Sequence, residues 1–342
     1  MPPLSGIRVL DFSELAPGPY MTQCLHDMGA EVIKIERPNG DMARTLQPGG
    51  FAALNHGKHS RFLDPKDPDA CREAVALARE VDVLVEGFQP RVLAKFGLSY
   101  ADLTGHNPKL VYVSITGFGQ TGPLADLPGH DINYLAASGL ASLCGGADSP
   151  PSNTVGVPIG DFCAGLYALS SALAALWQAK SSGRGQWLDV SITDCLAHWM
   201  NVRLGQFDER GLRSLQAQRD EVFIKPAYGL FATADGQVAI AALEDVFWRR
   251  LINVLPLELG EIETKSHAQR VMYAAQINKA LASYLIGLSS ENVLQRLRDA
   301  DVPATQVTIP AQLSESPHFK QRELFETVGG RGFVRFPVRM EQ

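Results

Sequence analysis

Ile7-Arg8-Val9-Leu10-Asp11-Phe12, the segment 19–28, and Glu31-Val32-Ile33-Lys34-Ile35-Glu36 together decide the fold. The first and last runs are apolar and β-branched at strand length. The segment between them has helical length and stops before Gly29, a residue free to take the left-handed turn after a helix. Strand, helix, strand over so short a span predicts two parallel strands joined by a crossover helix. The alternation continues, with a helix expected over 74–81, a strand over 82–85 and another apolar β-branched run over 110–115. The fold class that follows is α/β, with a Rossmann-like parallel sheet.

Further along, 160–180 reads as a strong helix and 186–191 as a short strand. Residues 201–221 are rich in charge and poor in periodic apolar positions, so they read as a linker or an exposed helix. A hairpin follows over 227–233 and 237–242, joined at Asp235-Gly236, a dipeptide expected to supply the positive φ angles of a tight turn. Helices are expected near 246–255, 268–286 and 290–300, and a short β-like run at 333–336. The organisation expected is a large Rossmann-like domain (1–200 and 310–342), a linker (201–221) and a smaller α/β domain (222–309). There is no internal repeat and no low-complexity segment.

Bulk properties narrow the class. A chain of 342 residues predicts about two domains. With 45% hydrophobic and 20% charged residues it has the composition of a globular protein, and its net charge of −6 argues against a nucleic-acid partner. The five cysteines (Cys24, Cys71, Cys144, Cys163, Cys195) are scattered and form no CxxC pair, which fits a reducing cytoplasm and argues against a metal centre. The start of the sequence lacks the pattern of a secretory signal. The apolar stretch 162–179 carries Ser170 and Ser171 and no aromatic belts, so it reads as a buried helix rather than a membrane span. The turn Ser13-Glu14-Leu15-Ala16-Pro17-Gly18-Pro19 lacks GxGxxG, and its prolines remove amides that a pyrophosphate needs, which excludes a dinucleotide cofactor.

Three places can carry chemistry. Gly160-Asp161 precedes the strong helix. As an N-cap, Asp161 would simply satisfy first-turn amides. The small residues Cys163, Ala164 and Gly165 and the free N–H groups there also suit a developing oxyanion, for which the Asp161 amide is the candidate donor. His130, in Pro128-Gly129-His130-Asp131-Ile132-Asn133-Tyr134, stands at or just before a helix start, where the dipole favours the neutral ring that a base requires. By itself it reads more readily as a surface cap. Glu244 directly follows the second hairpin strand, where an acid is usually just solvated.

In this order the three sites resemble the family III CoA transferases and, within them, the α-methylacyl-CoA racemases. The resemblance begins at Leu4-Ser5-Gly6-Ile7-Arg8-Val9-Leu10-Asp11 and runs through Leu15-Ala16-Pro17-Gly18-Pro19, Gly29-Ala30-Glu31-Val32-Ile33-Lys34-Ile35-Glu36-Arg37-Pro38 and Thr116-Gly117-Phe118-Gly119-Gln120-Thr121-Gly122. His130 stands where the transferases more often have tyrosine, and Ala242-Leu243-Glu244 is racemase-like. The resemblance implies that His130 and Asp161 flank the α-carbon of an acyl-CoA as two bases, with Glu244 hydrogen-bonded near Asp161. It implies coenzyme A contacts from Arg37, Lys58, Leu63, Asp64, Glu86, Gly87, Phe88, Arg91, Gly129, Asp131, Asn133 and Tyr134. It also implies an interlocked homodimer and no cofactor beyond the coenzyme A of the substrate. The sequence departs from the family at His56-Gly57-Lys58, at Leu63-Asp64-Pro65-Lys66 and at Phe88-Gln89-Pro90-Arg91. Arg37, Lys58, Arg61 and Arg91 are expected to supply positive charge there. The competing readings are a CoA transferase with Asp161 as nucleophile and a non-catalytic CoA-binding protein; the acyl group stays open.

Overall fold

The computed structural model describes residues 1–146, 149–152 and 156–340. Six strands, β1 (Arg8–Asp11), β2 (Glu31–Glu36), β3 (His59–Phe62), β4 (Val83–Glu86), β5 (Val111–Thr116) and β6 (Trp187–Ser191), form one parallel sheet in the order β3-β2-β1-β4-β5-β6. Strand order reverses between β1 and β4, and a sheet of this kind opens a crevice at the carboxyl ends of the strands there. Helices cover both faces, which is why Val9, Leu10, Val83, Leu84, Val111 and Val113 are all buried. β3 was not foreseen. All four of its residues are exposed, so this edge strand lacks the apolar signal that marks the central ones.

The connecting helices are α1 (Pro17–Asp27), the short α2 (Ala43–Leu46), α3 (Pro48–Asn55), α4 (Pro68–Ala78), α5 (Tyr100–Thr104), α6 (Asp131–Ala137), α7 (Ile159–Ser182) and α8 (Ile192–Trp199). Proline at the first turn of α1, α3 and α4 fixes φ where no amide partner is lost. α7 is long and apolar enough to cross a membrane by composition alone. Its face of small residues, Cys163, Ala164, Gly165, Ala168, Ala172, Ala175 and Ala179, is instead buried in the core beneath the sheet. The helix begins two residues before Asp161, so Asp161 lies inside its first turn and is not its N-cap.

The chain divides into two units: Met1–Cys144, Pro151–Gln206 and Gln321–Gln342, and then Gly145–Pro150 and Phe207–Lys320. Residues 310–320 thus fall in the second unit, whereas the sequence assigned them to the first. The first unit ends in an antiparallel hairpin, β10 (Phe325–Val328) with β11 (Arg331–Val334). Residues 201–221, read as a linker or an exposed helix, take the helical alternative, as Asn201–Glu209 and Leu215–Phe223. The second of these helices is capped by the Ser214 side chain, and charged residues obscured their apolar period.

In the second unit, β7 (Tyr228–Ala232), β8 (Gln237–Ala241) and β9 (Ala304–Gln306) form an antiparallel sheet over a core that includes Phe231, Ile240, Trp248, Leu251, Leu281 and Leu297. The hairpin is where the sequence placed it, but neither Asp235 nor Gly236 takes a positive φ. The loop closes through Thr233 N–H donating to Gly236 O at 2.9 Å. Asp235 Oδ1 accepts from Ser290 N at 2.7 Å, so this aspartate anchors the start of the helix Ser290–Asp299 rather than shaping a tight turn.

The approach of α1 to α7 depends on Gly165, where an added Cβ would stand 2.9 Å from both Pro17 O and Tyr20 Cδ1. Gly165→Ala is therefore expected to destabilise the protein by about 1–3 kcal/mol. The check is the denaturant midpoint; an unchanged midpoint would show that α1 and α7 yield freely.

Candidate active site

The carboxyl ends of β1, β4 and β5 and the loops that follow them surround a cavity of about 530 Å³. Ser13, Glu14 and Leu15 line it from the β1–α1 loop, Pro17 and Gly18 from the first turn of α1, Gly87 and Phe88 from the turn after β4, and Thr116 and Gly117 from the end of β5. His130 and Asp161 line this same cavity, with Gly129, Asn133 and Tyr134. The sequence therefore named two residues that share this cavity, His130 and Asp161, and part of its wall. It did not assign to the site the β1–α1 loop, quoted only as a motif, or Thr116, whose buried hydroxyl has no hydrogen-bond partner among the described residues.

His130 is the N-cap of α6 and is extended, with φ −129° and ψ 174°. Its N–H donates to Asn133 Oδ1 at 3.0 Å, so Asn133 fixes the backbone that carries the ring. Tyr134 donates its hydroxyl to Gly129 O at 2.6 Å. Burial, with Asp161 and Asp131 nearby, pushes its phenol up to about 12. A side chain at either Gly117 or Gly129 would run into the Tyr134 ring, which explains why glycine stands at both places.

Asp131, the residue after His130, does not line this cavity. Its Oδ1 accepts from Gly160 N at 2.7 Å and from Asp161 N at 3.2 Å. It therefore takes the capping role that the sequence gave to Asp161, and it occupies the amide expected to serve as the oxyanion donor. The Asp161 carboxyl is consequently left without its own cap contact and faces the cavity. Burial, and secondly the charge of Asp131, push it up to about 7.

A second cavity of about 310 Å³ is lined by Arg37, Leu63 and Asp64 together with the apolar Phe12, Ile35 and Leu98; Glu14 and Phe88 line both cavities. Glu86 and Arg91 line a third, of about 240 Å³. Burial pushes the Glu86 carboxyl up to about 7, although Ser114 and the amide of Phe88, at 2.8 Å, oppose the shift. Lys58 corrects an expectation. Its side chain is fully buried, and its ammonium donates to Pro19 O (2.9 Å), Thr22 Oγ1 (2.8 Å) and Asn55 Oδ1 (2.9 Å), which leaves nothing to offer a phosphate. Burial lowers it to about 8, against the pull of Asp11.

The other expected cations also carry acidic partners. Arg37 clasps Glu14 through Nε (2.9 Å) and Nη2 (2.6 Å), Arg61 pairs with Glu73, and Arg91 reaches Asp126 at 3.2 Å. Glu244 belongs to the second unit. There it is the N-cap of the helix Asp245–Val254, and its carbonyl accepts from Trp248 N at 2.9 Å.

A six-stranded parallel sheet of this order, with a carboxyl group and an imidazole in one cleft at its carboxyl edge, defines an α/β enzyme. The chain belongs to CoA-transferase family III, which it matches over residues 4–342. It is 33% identical to the succinate–glutarate CoA-transferase of Agrobacterium fabrum, over 100% of this chain and 90% of that protein. It is 32% identical to the succinyl-CoA:mesaconate CoA-transferase of Haloarcula hispanica, over 96% and 86%. It is 30% identical to human alpha-methylacyl-CoA racemase, over 95% and 82%. Among solved structures it is similar to a CaiB/BaiF family protein from Brucella suis, with a TM-score of 0.87 and 29% identity over 99% of this chain and 92% of that one.

The raised Asp161 group has a thermodynamic consequence. An aspartate raised from its usual value keeps its proton in the native state, so ionisation weakens the fold progressively as pH rises towards 7. Asp161→Asn removes that penalty and is expected to raise the melting temperature more at pH 8 than at pH 5. Asp131→Asn, which keeps an acceptor for Gly160 but drops the charge, is expected to lower the Asp161 pKa, read by NMR of labelled carboxyl carbons.

Proposed function

We propose that the protein is an acyl-CoA racemase of the α-methylacyl type, catalysing a two-base 1,1-proton transfer on the carbon next to the thioester carbonyl. The observation that carries this reading is that His130 and Asp161 line one cavity. The neutral His130 ring takes the α-proton of a 2-methylacyl-CoA, and the C–H electron pair moves into the enolate. The Asp161 carboxylic acid then delivers a proton to the other face, leaving imidazolium and carboxylate. The opposite enantiomer runs the same steps in reverse. Each direction needs Asp161 in a different protonation state, and a carboxyl group near 7 supplies both at neutral pH.

With the Asp161 amide engaged by Asp131, the enolate oxygen needs another donor; the unpartnered Thr116 hydroxyl at the cavity wall is one candidate. The nucleotide end of coenzyme A is assigned to the 310 Å³ cavity against Ile35, Leu63 and Phe88, and the thioester arm passes Phe88 and Glu14. Substrate phosphates then compete with Glu14 for Arg37, because that guanidinium is already paired. Glu244 enters as a third catalytic residue on the strength of the racemase resemblance alone.

The second reading is a CoA transferase, favoured by the names of the Agrobacterium and Haloarcula relatives. There the Asp161 carboxylate attacks the thioester carbonyl and CoA thiolate leaves, giving a mixed anhydride that a second acid resolves. That role uses the ionised carboxylate alone, whereas burial and Asp131 favour the protonated acid that proton exchange also needs.

Purified protein given a 2-methylacyl-CoA in deuterated water is expected to place deuterium on the α-carbon with no acceptor acid present. Strict dependence on a free carboxylic acid, without exchange, establishes the transferase instead. His130→Ala is expected to lower exchange by about 10²–10⁴-fold while the protein stays folded. Full activity in that variant removes the two-base mechanism.

A further inference from the structure

We propose that Lys34 and Asp41 are positioning residues for this reaction and act through the backbone of the Ser13–Gly18 wall, above all through Leu15. The inference rests on assigning the chemistry to the 530 Å³ cavity that this wall lines. Lys34 and Asp41 form an ion pair at 3.0 Å, and both side chains are fully buried. Such a pair in a core is often no better for stability than two apolar side chains of the same volume. Here each ion ends on the cavity wall. Lys34 Nζ donates to Ser13 O at 2.7 Å, and Asp41 Oδ1 accepts from Leu15 N at 3.3 Å and from Ala43 N at 2.8 Å.

Leu15 needs such a hold. Its φ is +65°, in the left-handed region that a leucine avoids, and a residue stays there only when its surroundings impose it. Next to this pair, Asp11 fixes the start of the same loop. Its Oδ1 accepts from Ser13 N at 2.9 Å and from the Ser13 hydroxyl, and its Oδ2 accepts from Thr22 Oγ1 at 2.5 Å. Burial would raise the Asp11 carboxyl, but Lys34 and Lys58 hold it below its usual range, so it remains an acceptor. Two buried cations thus face two buried anions, and their hydrogen bonds reach Ser13, Leu15 and Pro19 in turn. The loop enters the cavity in one fixed shape.

The test compares Asp41→Ala, which deletes the acceptor for Leu15, with Asp41→Asn, which keeps an oxygen for it. In the α-proton exchange assay the alanine variant is expected to lose about tenfold or more in kcat with little change in KM. The asparagine variant is expected to keep most of its rate. Equal losses in the two, or no loss in either, overturn the proposal. In a Leu15→Gly background, where a left-handed turn carries no penalty, the loss from Asp41→Ala is expected to shrink. An undiminished loss there means that Asp41 does not act through Leu15, and overturns it too.

Should the lone buried lysine unfold the alanine variant, Lys34→Met/Asp41→Leu fills the site with apolar atoms while releasing both contacts. It is expected to fold and to show the same fall in kcat; a folded double variant with the parental kcat contradicts the proposal. Absence of exchange in the parent protein sinks the racemase reading alone. The same ranking of variants is then expected for CoA transfer at this cavity, and a different ranking overturns the positioning role.

Discussion

One carboxylate ties the site together. Asp131 follows His130 directly in the chain, and its Oδ1 accepts from the amides that begin α7, including that of Asp161. A single hydrogen-bonded bridge therefore couples the helix start that carries the imidazole to the helix start that carries the carboxyl group. The same bridge adds to the chemistry: burial is what chiefly keeps the Asp161 carboxyl protonated, and the negative charge of Asp131 beside it adds to that. Position, and part of the bias towards the protonated acid, come from one residue that need not touch the substrate.

Around this bridge the cavity is held by buried polar atoms rather than by apolar packing alone. Tyr134 reaches back to Gly129 across two glycines that leave room for its ring. On the opposite wall, Asp11, Lys34, Asp41 and Lys58 satisfy one another and the β1–α1 loop. Burying four charges is tolerable only because they are paired and most of their polar atoms are hydrogen-bonded; among the described residues, Asp41 Oδ2 has only its ion-pair contact with Lys34. That requirement also explains why Lys58 serves the fold rather than a ligand.

The parallel sheet was legible because β1, β2, β4 and β5 are buried on both faces and read as continuous apolar runs. The exposed β3 and the charged helices over 201–223 carried no such pattern, and tertiary contacts fix them instead. In the site, His130 and Asp161 were found through motif resemblance and the local signal of helix starts. The exchange of roles between Asp131 and Asp161 was not legible, because it depends on a contact between residues thirty positions apart. The ion pairs of Arg37, Arg61 and Arg91 were hidden for the same reason, since a sequence shows charges but not their partners.

The most direct measurement is a crystal structure of the protein with a non-reactive thioether analogue of a 2-methylacyl-CoA. The expected result is an α-carbon with the His130 ring on one face and the Asp161 carboxyl on the other, each at about 3–3.5 Å. An analogue seated with both side chains on one face, or with His130 turned away from it, would contradict the two-base chemistry.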